Sequence, residues 1–526
     1  MPKTSHKYPF GQAASEDELK TLEGGYEDLF FNETKFCRLS LDPDRYLIIG
    51  RRGAGKTALS NYFSFQKRIK NCQCIDVDEP AVYSGVLSEI SGFAGADRAT
   101  AIPQISKIWT HIIWVLIFKL HCDRSAKIRD AYNGSSYSFR EKGGICTLVS
   151  SILKNLVEKV SGADPDAIQS AIDAMKRGPF EAARQESIEL ARHSPVIIAF
   201  DTLEQMSPSN DHLMWAMAAL IHACSRFNLD HSSDGLHVKL FLPGEAYPEL
   251  STNWVLNLTK EIRNPVFLYW RPKDLLRMIC WRLHTNLRRW GQQLPTGEGQ
   301  IDWESHRDVH EKIWVPHFGA KIRNKQGGLE DTFPYILRHT QLMPRQMILL
   351  CNSIAACAMA KGNFPKFTES DIRKGVHKKE SFLADEIFNA YSSIHRQVAK
   401  IVVALSGSDA VFLGKHLHKI APRSASAWAK GEYSPDAFKN LLTEIGVVGR
   451  VRKHGADGTF HEADYNYSSS IPVHLQEDEL CAIHPMFFNR LNIGVEKEVI
   501  LPFPERIQRV SAGVRGAGWQ TEKLWD

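Results

Sequence analysis

The octapeptide Gly50-Arg51-Arg52-Gly53-Ala54-Gly55-Lys56-Thr57 fits the spacing GxxxxGK[ST], in which each fixed residue has a task in holding a polyphosphate. Glycines let the backbone curl until successive N–H groups point inward at phosphate oxygens. A helix opening at Lys56 adds the positive end of its dipole. Lys56 would reach the β- and γ-phosphates, and the Thr57 hydroxyl would ligate Mg²⁺. The candidate nucleotide-binding set is therefore Gly50, Gly53, Ala54, Gly55, Lys56, Thr57 and Ala58, with Lys56 also a candidate catalytic residue. The four fixed positions coincide by chance in about one chain in fifty of this length. An apolar run before the loop and a helical pattern after it lower that further, so a glycine-rich turn of another kind is the weaker reading. Arg51 and Arg52 occupy positions that the spacing leaves free.

Such a loop needs a carboxylate at the end of another strand to hold Mg²⁺ through water. The stretch "PVIIAFDTLEQM" supplies Asp201 directly after the apolar run Val196–Phe200. Capping of a following helix is the plainer alternative for Asp201. Glu204, three residues on, is the candidate for polarising the attacking water, although an acid in a first helical turn also suits the dipole. Adenine is the expected base by elimination, since no NKxD-type guanine motif follows.

The elements that must position these residues are legible as apolar runs. Tyr46–Gly50, Gln73–Val77, Val196–Phe200, Val238–Leu242 and Val266–Trp270 read as buried parallel strands. The long stretch between the second and third reads as a helical insertion, with helices expected at Gln104–Cys122 and Cys146–Val160. "PKDLLRMICWRLHTNLRRW" and "PRQMILLCNSIAACAMA" are amphipathic helices. A junction is expected over 362–378, with a new domain opening near Ser381 on a helix whose apolar face carries Ile387, Tyr391, Ile394, Val398, Ile401 and Leu405. Ser434, Pro435 and Gly446 punctuate another helix. Two strand-like runs follow around a Gly-Ala-Asp-Gly turn.

Composition bounds the alternatives. A chain of 526 residues with 43% apolar and 24% charged residues is globular and large enough for several domains. A net charge of +5 implies no nucleic-acid coat. The uninterrupted apolar run Ile112–Phe118 is far short of a membrane span, and the first residues lack a signal-peptide layout. Ten scattered cysteines without a CxxC pair predict reduced thiols in a cytoplasmic protein. Cys72 and Cys74 read as strand residues, and His306 and His310 as surface histidines, rather than as metal ligands. Arg277, Trp281, His284 and Arg288 share a helical face that could grip a phosphate backbone or simply be solvated. The helix at 435–445 carries a net negative polar face, and Glu462 and Asp464 oppose Arg450, Arg452 and Lys453, so DNA contact is the less favoured expectation there.

The order of P-loop, helical insertion, Asp201-x-x-Glu204, "VKLFLP" and "VFLYWRPKDLLRMICWRL" resembles bacterial P-loop ATPases of the AAA+/STAND type, relatives of the archaeal origin-recognition ATPases. "YILRHTQLMPRQMILLCN" is similar to the T-x-x-x-P-R segment of their helical lid, and "AIHPMFFNRL" closes a winged-helix-like region in a similar way. The resemblance implies an α/β fold. This would have a five-stranded parallel sheet of ASCE type, the Asp201 strand beside or near the P-loop strand, a helical lid and a C-terminal winged-helix-like domain. It implies ATP and Mg²⁺ as cofactors and switching between nucleotide states by assembly with copies of itself or a partner effector. Bacterial members are frequently regulatory or anti-phage defence ATPases. Arg345 matches the lid arginine that contacts the γ-phosphate in the family. Its place just after Pro344, at the positive end of a helix, costs about 0.3–1 kcal/mol unless an anion is near; a salt bridge to a carboxylate elsewhere in the chain is the alternative.

Two departures from the family point to slow hydrolysis: Thr202 follows Asp201 where many relatives carry a second acid, and Pro243-Gly244-Glu245 stands where a polar sensor is expected. The expected organisation is an extension over 1–36, a P-loop core over 37–270 with its insertion about 81–190, a lid over 271–375, a winged-helix-like domain over 380–500 and a tail over 501–526. A slow, Mg²⁺-dependent regulatory ATPase is the first reading. A DNA-binding ATPase, loader-like or transcriptional, and an ATP-bound scaffold without turnover stay open beside it.

Overall fold

The computed structural model describes residues 7–22, 25–42, 44–65, 73–77, 98–135, 178–201, 211–255, 261–292, 301–324, 327–392, 394–454, 460–468, 473–493 and 499–502. Glu204, Cys72, the helix expected at Cys146–Val160 and the tail beyond 502 lie outside the described residues. The chain divides into two compact units, Thr34–Tyr269 and a second formed by Met1–Glu33 with Trp270–Asp526. The structure is mixed α/β and mostly helical.

In the unit Thr34–Tyr269 the strands are β1 (Leu47–Gly50), β2 (Gln73–Val77), β3 (Val196–Asp201), β4 (Leu236–Pro243) and β5 (Val266–Phe267). Four of them form a parallel sheet in the order β2-β3-β4-β1, and the two-residue β5 pairs with the free side of β1. Every residue of β1 and β3 is buried, because a parallel sheet is covered on both faces and its strands read as continuous apolar runs. The expected fifth strand is shorter than its apolar sequence. After Leu268 donates to Ile49 at 2.8 Å, the Tyr269 N–H turns back to the Phe267 carbonyl at 2.9 Å, and the ladder stops.

Helices α1 (Lys56–Phe65), α2 (Arg98–His121), α3 (Ala126–Ser135), α4 (Pro179–His193) and α5 (Asp211–His231) accompany the sheet. Helix α2 contains the expected Ile112–Phe118 run. Its residues Ala101–His121 are long and apolar enough to cross a membrane, yet 78% of the most apolar window is buried inside the protein. Trp109 shows why: its indole N–H donates to the Ala216 carbonyl on α5 at 3.1 Å, and its ring meets Phe200 edge-on at 5.9 Å, next to Asp201. Asn228 on α5 closes the part of β4 that extends beyond β1. Its amide donates to the Val238 carbonyl and accepts the Val238 N–H, both at 3.0 Å, which satisfies backbone groups that would otherwise be buried unpaired.

Lys239, on β4, is 1% exposed, and its ammonium donates to the carbonyls of Asp42 at 2.6 Å and Arg45 at 2.9 Å. Burial pulls its pKa down to about 7 against the opposing pull of Asp42 and Asp44. Between that value and the ordinary one near 10.5 the unfolded chain holds a proton that the folded chain does not, so stability rises with pH through this window. Lys239→Met is expected to remove that slope, by up to roughly 1.4 kcal/mol per pH unit. Urea unfolding of both proteins at several pH values between 7 and 10 checks this; a gap between them that stays constant with pH would refute it.

The second unit has one continuous apolar core that runs from Phe10 to Leu501. Its long helices are α6 (Pro272–Arg289), α7 (Pro344–Met359), α8 (Glu369–Tyr391) and α9 (Pro435–Glu444). Helices α7 and α8 cross so closely that a Cβ on Gly375 would sit 2.5 Å from the Ile354 Cα, so no larger residue fits there. Helix α8 starts on a capping box, with the Thr368 hydroxyl and the Asp371 carboxylate each accepting a backbone N–H from the other. It spans the end of the expected junction at 362–378 and the opening near Ser381. The single helix expected from Ile387 to Leu405 is interrupted: α8 ends at Tyr391, where Ser392 turns its hydroxyl back to the Asn389 carbonyl at 2.8 Å, and a new helical turn begins at Val398.

A small hairpin pairs β6 (Lys321–Arg323) with β7 (Leu329–Asp331). Farther on, β8 (Val411–Leu413), β9 (Val448–His454), β10 (Phe460–Asp464), β11 (Leu480–Ile483) and β12 (Val499–Leu501) form a sheet in the order β12-β10-β9-β11-β8. Helix α9 has the expected punctuation. The Ser434 hydroxyl accepts the Ala437 N–H at 2.9 Å, Pro435 opens the first turn, and Gly446 takes a φ of 72°. The hairpin β9–β10 sets Glu462 opposite Lys453 and Asp464 opposite Arg450, and Asp464 also pairs with Arg452.

Of the face expected on α6, Arg277 is buried, Trp281 and His284 are half-buried, and Arg288 is exposed. Arg282 is buried as well, and Arg289 pairs with Asp28 at 2.9 Å. The Trp281 indole donates to the Asp28 carbonyl at 2.8 Å. Helical periodicity identified the face but not the N-terminal segment, residues 9–33, whose carbonyls and acids cover it.

Candidate nucleotide site

Because β1, β3 and β4 are parallel, their carboxyl ends share one edge of the sheet. Three groups of interest arrive there: the loop after Gly50, Asp201 at the end of β3, and Gly244-Glu245 after β4. The onward connections of the adjacent strands β1 and β4 run in opposite directions, to β2 at one side and β5 at the other. A crevice at the carboxyl ends of such strands is where open α/β sheets bind ligands.

The loop itself has the conformation that the spacing requires. Gly53 and Gly55 adopt φ values of 86° and 97°, which only glycine takes without strain. The Ala54 N–H closes a turn on the Arg51 carbonyl at 3.0 Å, and α1 begins at Lys56. Ala54 is buried, while Thr57 and Ala58 are half-buried at the start of that helix. Lys56 is only 4% exposed, and its ammonium is folded onto its own loop, donating to the carbonyl oxygens of Gly50 at 3.0 Å and Arg51 at 3.4 Å. A buried ammonium at the mouth of left-handed glycines, beside a threonine hydroxyl, is the donor set that a Mg²⁺-polyphosphate calls for.

Asp201 is 3% exposed. Its backbone is level with Phe241 of β4, and Phe241 is level with Ile48 of β1. The acid-bearing strand is thus one strand removed from the loop-bearing strand, about 10 Å away across the sheet. The sheet accordingly brings Asp201 and the Gly50–Thr57 loop to one edge. Arg345 lies in the other unit, near the start of α7, where its guanidinium reaches Glu386 of α8 at 3.0 Å. That carboxylate is the salt-bridge partner weighed in the sequence as the alternative to a phosphate.

Sequence reasoning missed Gly244 and Glu245. The Gly244 N–H donates to the Gly50 carbonyl at 2.9 Å, and the Glu245 carboxylate accepts the Arg52 N–H at 2.8 Å. A Cβ on Gly244 would lie 3.1 Å from the Arg51 nitrogen, so glycine lets the two loops lie against each other. The Pro-Gly-Glu stretch reads as a missing sensor in sequence. In the fold it ties down the first residues of the Gly50–Thr57 loop. Knowing that β4 neighbours β1 is the signal that would have found it. Burial pushes the Tyr269 phenol up in pKa, and the Arg51 charge pulls it back down.

No protein-family model matches this chain, and no curated protein matches its sequence. Among the described residues there is also no group of three or more histidine, cysteine or acidic side chains arranged to hold a metal by themselves.

Proposed function

We propose that this protein is an ATP-binding, Mg²⁺-dependent P-loop ATPase that works as a nucleotide-dependent regulatory switch and turns over slowly. The observation that carries the reading is the loop Gly50–Thr57, with two left-handed glycines and a buried lysine, set between a buried parallel strand and a helix. Backbone N–H groups of the loop and Lys56 would hold the phosphates, and Thr57 and Asp201 would hold Mg²⁺, which offsets the charge on the β- and γ-oxygens. Glu204 is the proposed water-polarising base. The ASCE-type five-stranded sheet belongs to this reading, supported by the strand order with β5 beside β1. So does the winged-helix-like assignment of the C-terminal region, supported by α9 followed by the β9–β10 hairpin.

Arg345 would sense the γ-phosphate by exchanging Glu386 for it. Because ADP offers no γ-phosphate, that exchange gives the two nucleotides different affinities for the two arrangements, which is what a switch requires. Assembly with copies or a partner effector, and a defence role, follow from the resemblance and remain part of the proposal. Mutual pairing of Arg450 and Arg452 with Asp464 lends no support to a DNA-gripping surface.

Calorimetric titration of ATP with and without Mg²⁺ tests the reading. Tight binding that needs Mg²⁺ is expected. Asp201→Asn should weaken the Mg²⁺-dependent part about tenfold while leaving Mg²⁺-free binding alone. No ATP binding by the wild type would overturn the proposal.

A further inference from the structure

The sheet edge that carries the Gly50–Thr57 loop also carries three aromatic side chains to which the site described above gives no role. They are Tyr247, which follows Gly244-Glu245 after β4, and Phe267 and Tyr269 at the end of β5. Phe267 is 38% and Tyr269 53% exposed, and Tyr247 is half-buried. In the same sheet every residue of β1 and β3 is buried. The rings form one cluster. Phe267 and Tyr269 stack at 5.8 Å with their planes 28° apart, and Tyr247 meets Phe267 edge-on at 5.8 Å. Strand β1 lies between β4 and β5, so the contact of Tyr247 with Phe267 bridges the strand that feeds the loop.

The backbone holds this cluster close to the loop. The Leu268 N–H donates to the Ile49 carbonyl, and the Tyr269 N–H then turns back to the Phe267 carbonyl. A Cβ on Gly50 would lie 2.9 Å from the Leu268 side chain, so the end of β5 rests against the first glycine of the loop. The strand order then gives a bound nucleotide its direction. Mg²⁺ bridges the β- and γ-oxygens, and its proposed ligands are Thr57 and Asp201. Along the order β3-β4-β1-β5 the terminal phosphate would lie on the Asp201 side of the loop. The nucleoside would leave on the other side, where β5 is one strand spacing, about 4.8 Å, from β1. An exposed ring there offers a π-face, on which any base can stack. Two exposed rings are also far less than the about 800 Å² that a stable protein contact covers on each partner.

We infer that Tyr269, backed by Phe267, is the shelf on which the base of the bound nucleoside triphosphate stacks. The inference rests on the nucleotide reading of the Gly50–Thr57 loop and names the residue that makes the site prefer a nucleotide to a bare polyphosphate. It also favours a purine over a pyrimidine, whose smaller ring overlaps the shelf less. Full-length protein is titrated calorimetrically with the Mg²⁺ complexes of ATP, CTP and ribose 5-triphosphate, which lacks a base. ATP is expected to bind about tenfold or more tightly than ribose 5-triphosphate, with CTP between them. Tyr269→Leu should weaken ATP about tenfold and leave ribose 5-triphosphate where it was, and Tyr269→Trp should retain ATP binding. An unfolding midpoint of Tyr269→Leu close to wild type shows that the variant is folded. Equal binding of ATP and ribose 5-triphosphate by the wild type would overturn the shelf while leaving the loop as the phosphate site. So would a Tyr269→Leu variant that weakens both ligands alike, or neither. Binding of none of the three ligands would overturn the nucleotide reading itself, and the shelf with it.

Discussion

Lys56→Ala is expected to remove nearly all of the stabilisation that the proposed binding of Mg²⁺-ATP would give this protein while leaving the nucleotide-free protein folded. A charge-assisted bond from lysine to phosphate contributes roughly 1.5–3 kcal/mol, which is about 10- to 100-fold or more in Kd. At an ATP concentration 100 times the wild-type Kd, binding stabilises the wild type by about 2.7 kcal/mol; a variant 100-fold weaker would gain only about 0.4 kcal/mol. The nucleotide-free fold should tolerate the change, because both carbonyls that Lys56 touches have another donor. Gly50 O also accepts the Gly244 N–H at 2.9 Å, and Arg51 O accepts the Ala54 N–H at 3.0 Å. Unfolding curves of both proteins with and without Mg²⁺-ATP separate the two effects. A variant that keeps the full ATP-dependent gain would show that phosphate does not sit on this loop.

That argument depends on residues the sequence displays openly and on others it conceals, and the difference is physical. The Gly50–Thr57 loop is legible because its demands are local: a left-handed backbone at Gly53 and Gly55 needs glycine wherever such a loop occurs. Strands β1 and β3 are legible because burial on both faces leaves an unbroken apolar run. β5 is over-read for the same reason. The turn at Tyr269 that ends it is a backbone event, and hydropathy does not register it. Glu245 is illegible because its role depends on which strand neighbours which, and strand order is not written in either segment. Arg277 is misjudged in a similar way. A helical wheel says which residues share a face, but Asp274 and Glu33 decide whether that face meets water.

The N-terminal segment carries the largest structural consequence of this kind. Phe10 is fully buried, Asn352 of α7 accepts its N–H at 3.2 Å and donates to the Gly11 carbonyl at 2.8 Å, and Asn286 of α6 donates to the Pro9 carbonyl at 3.0 Å. Arg282 completes the anchorage. It donates to the Phe10 carbonyl at 2.6 Å and pairs with Glu18, which is 3% exposed. Replacing Arg282 with methionine strands the Glu18 carboxylate with the Gln12 N–H at 2.9 Å as its remaining donor among the bonds described. Leaving one member of a buried pair uncompensated costs about 3–5 kcal/mol. Arg282→Met should therefore lower the urea midpoint sharply and speed amide hydrogen exchange over residues 7–33. The double variant Glu18→Leu/Arg282→Met should recover most of the loss, because it removes the stranded charge along with its partner. If the single variant falls by less than about 1 kcal/mol, the pair is solvated in solution and does not anchor the segment. If the double variant is no better than the single, the loss comes from the Phe10 carbonyl left without its donor, and the anchorage is a hydrogen bond rather than a charge pair.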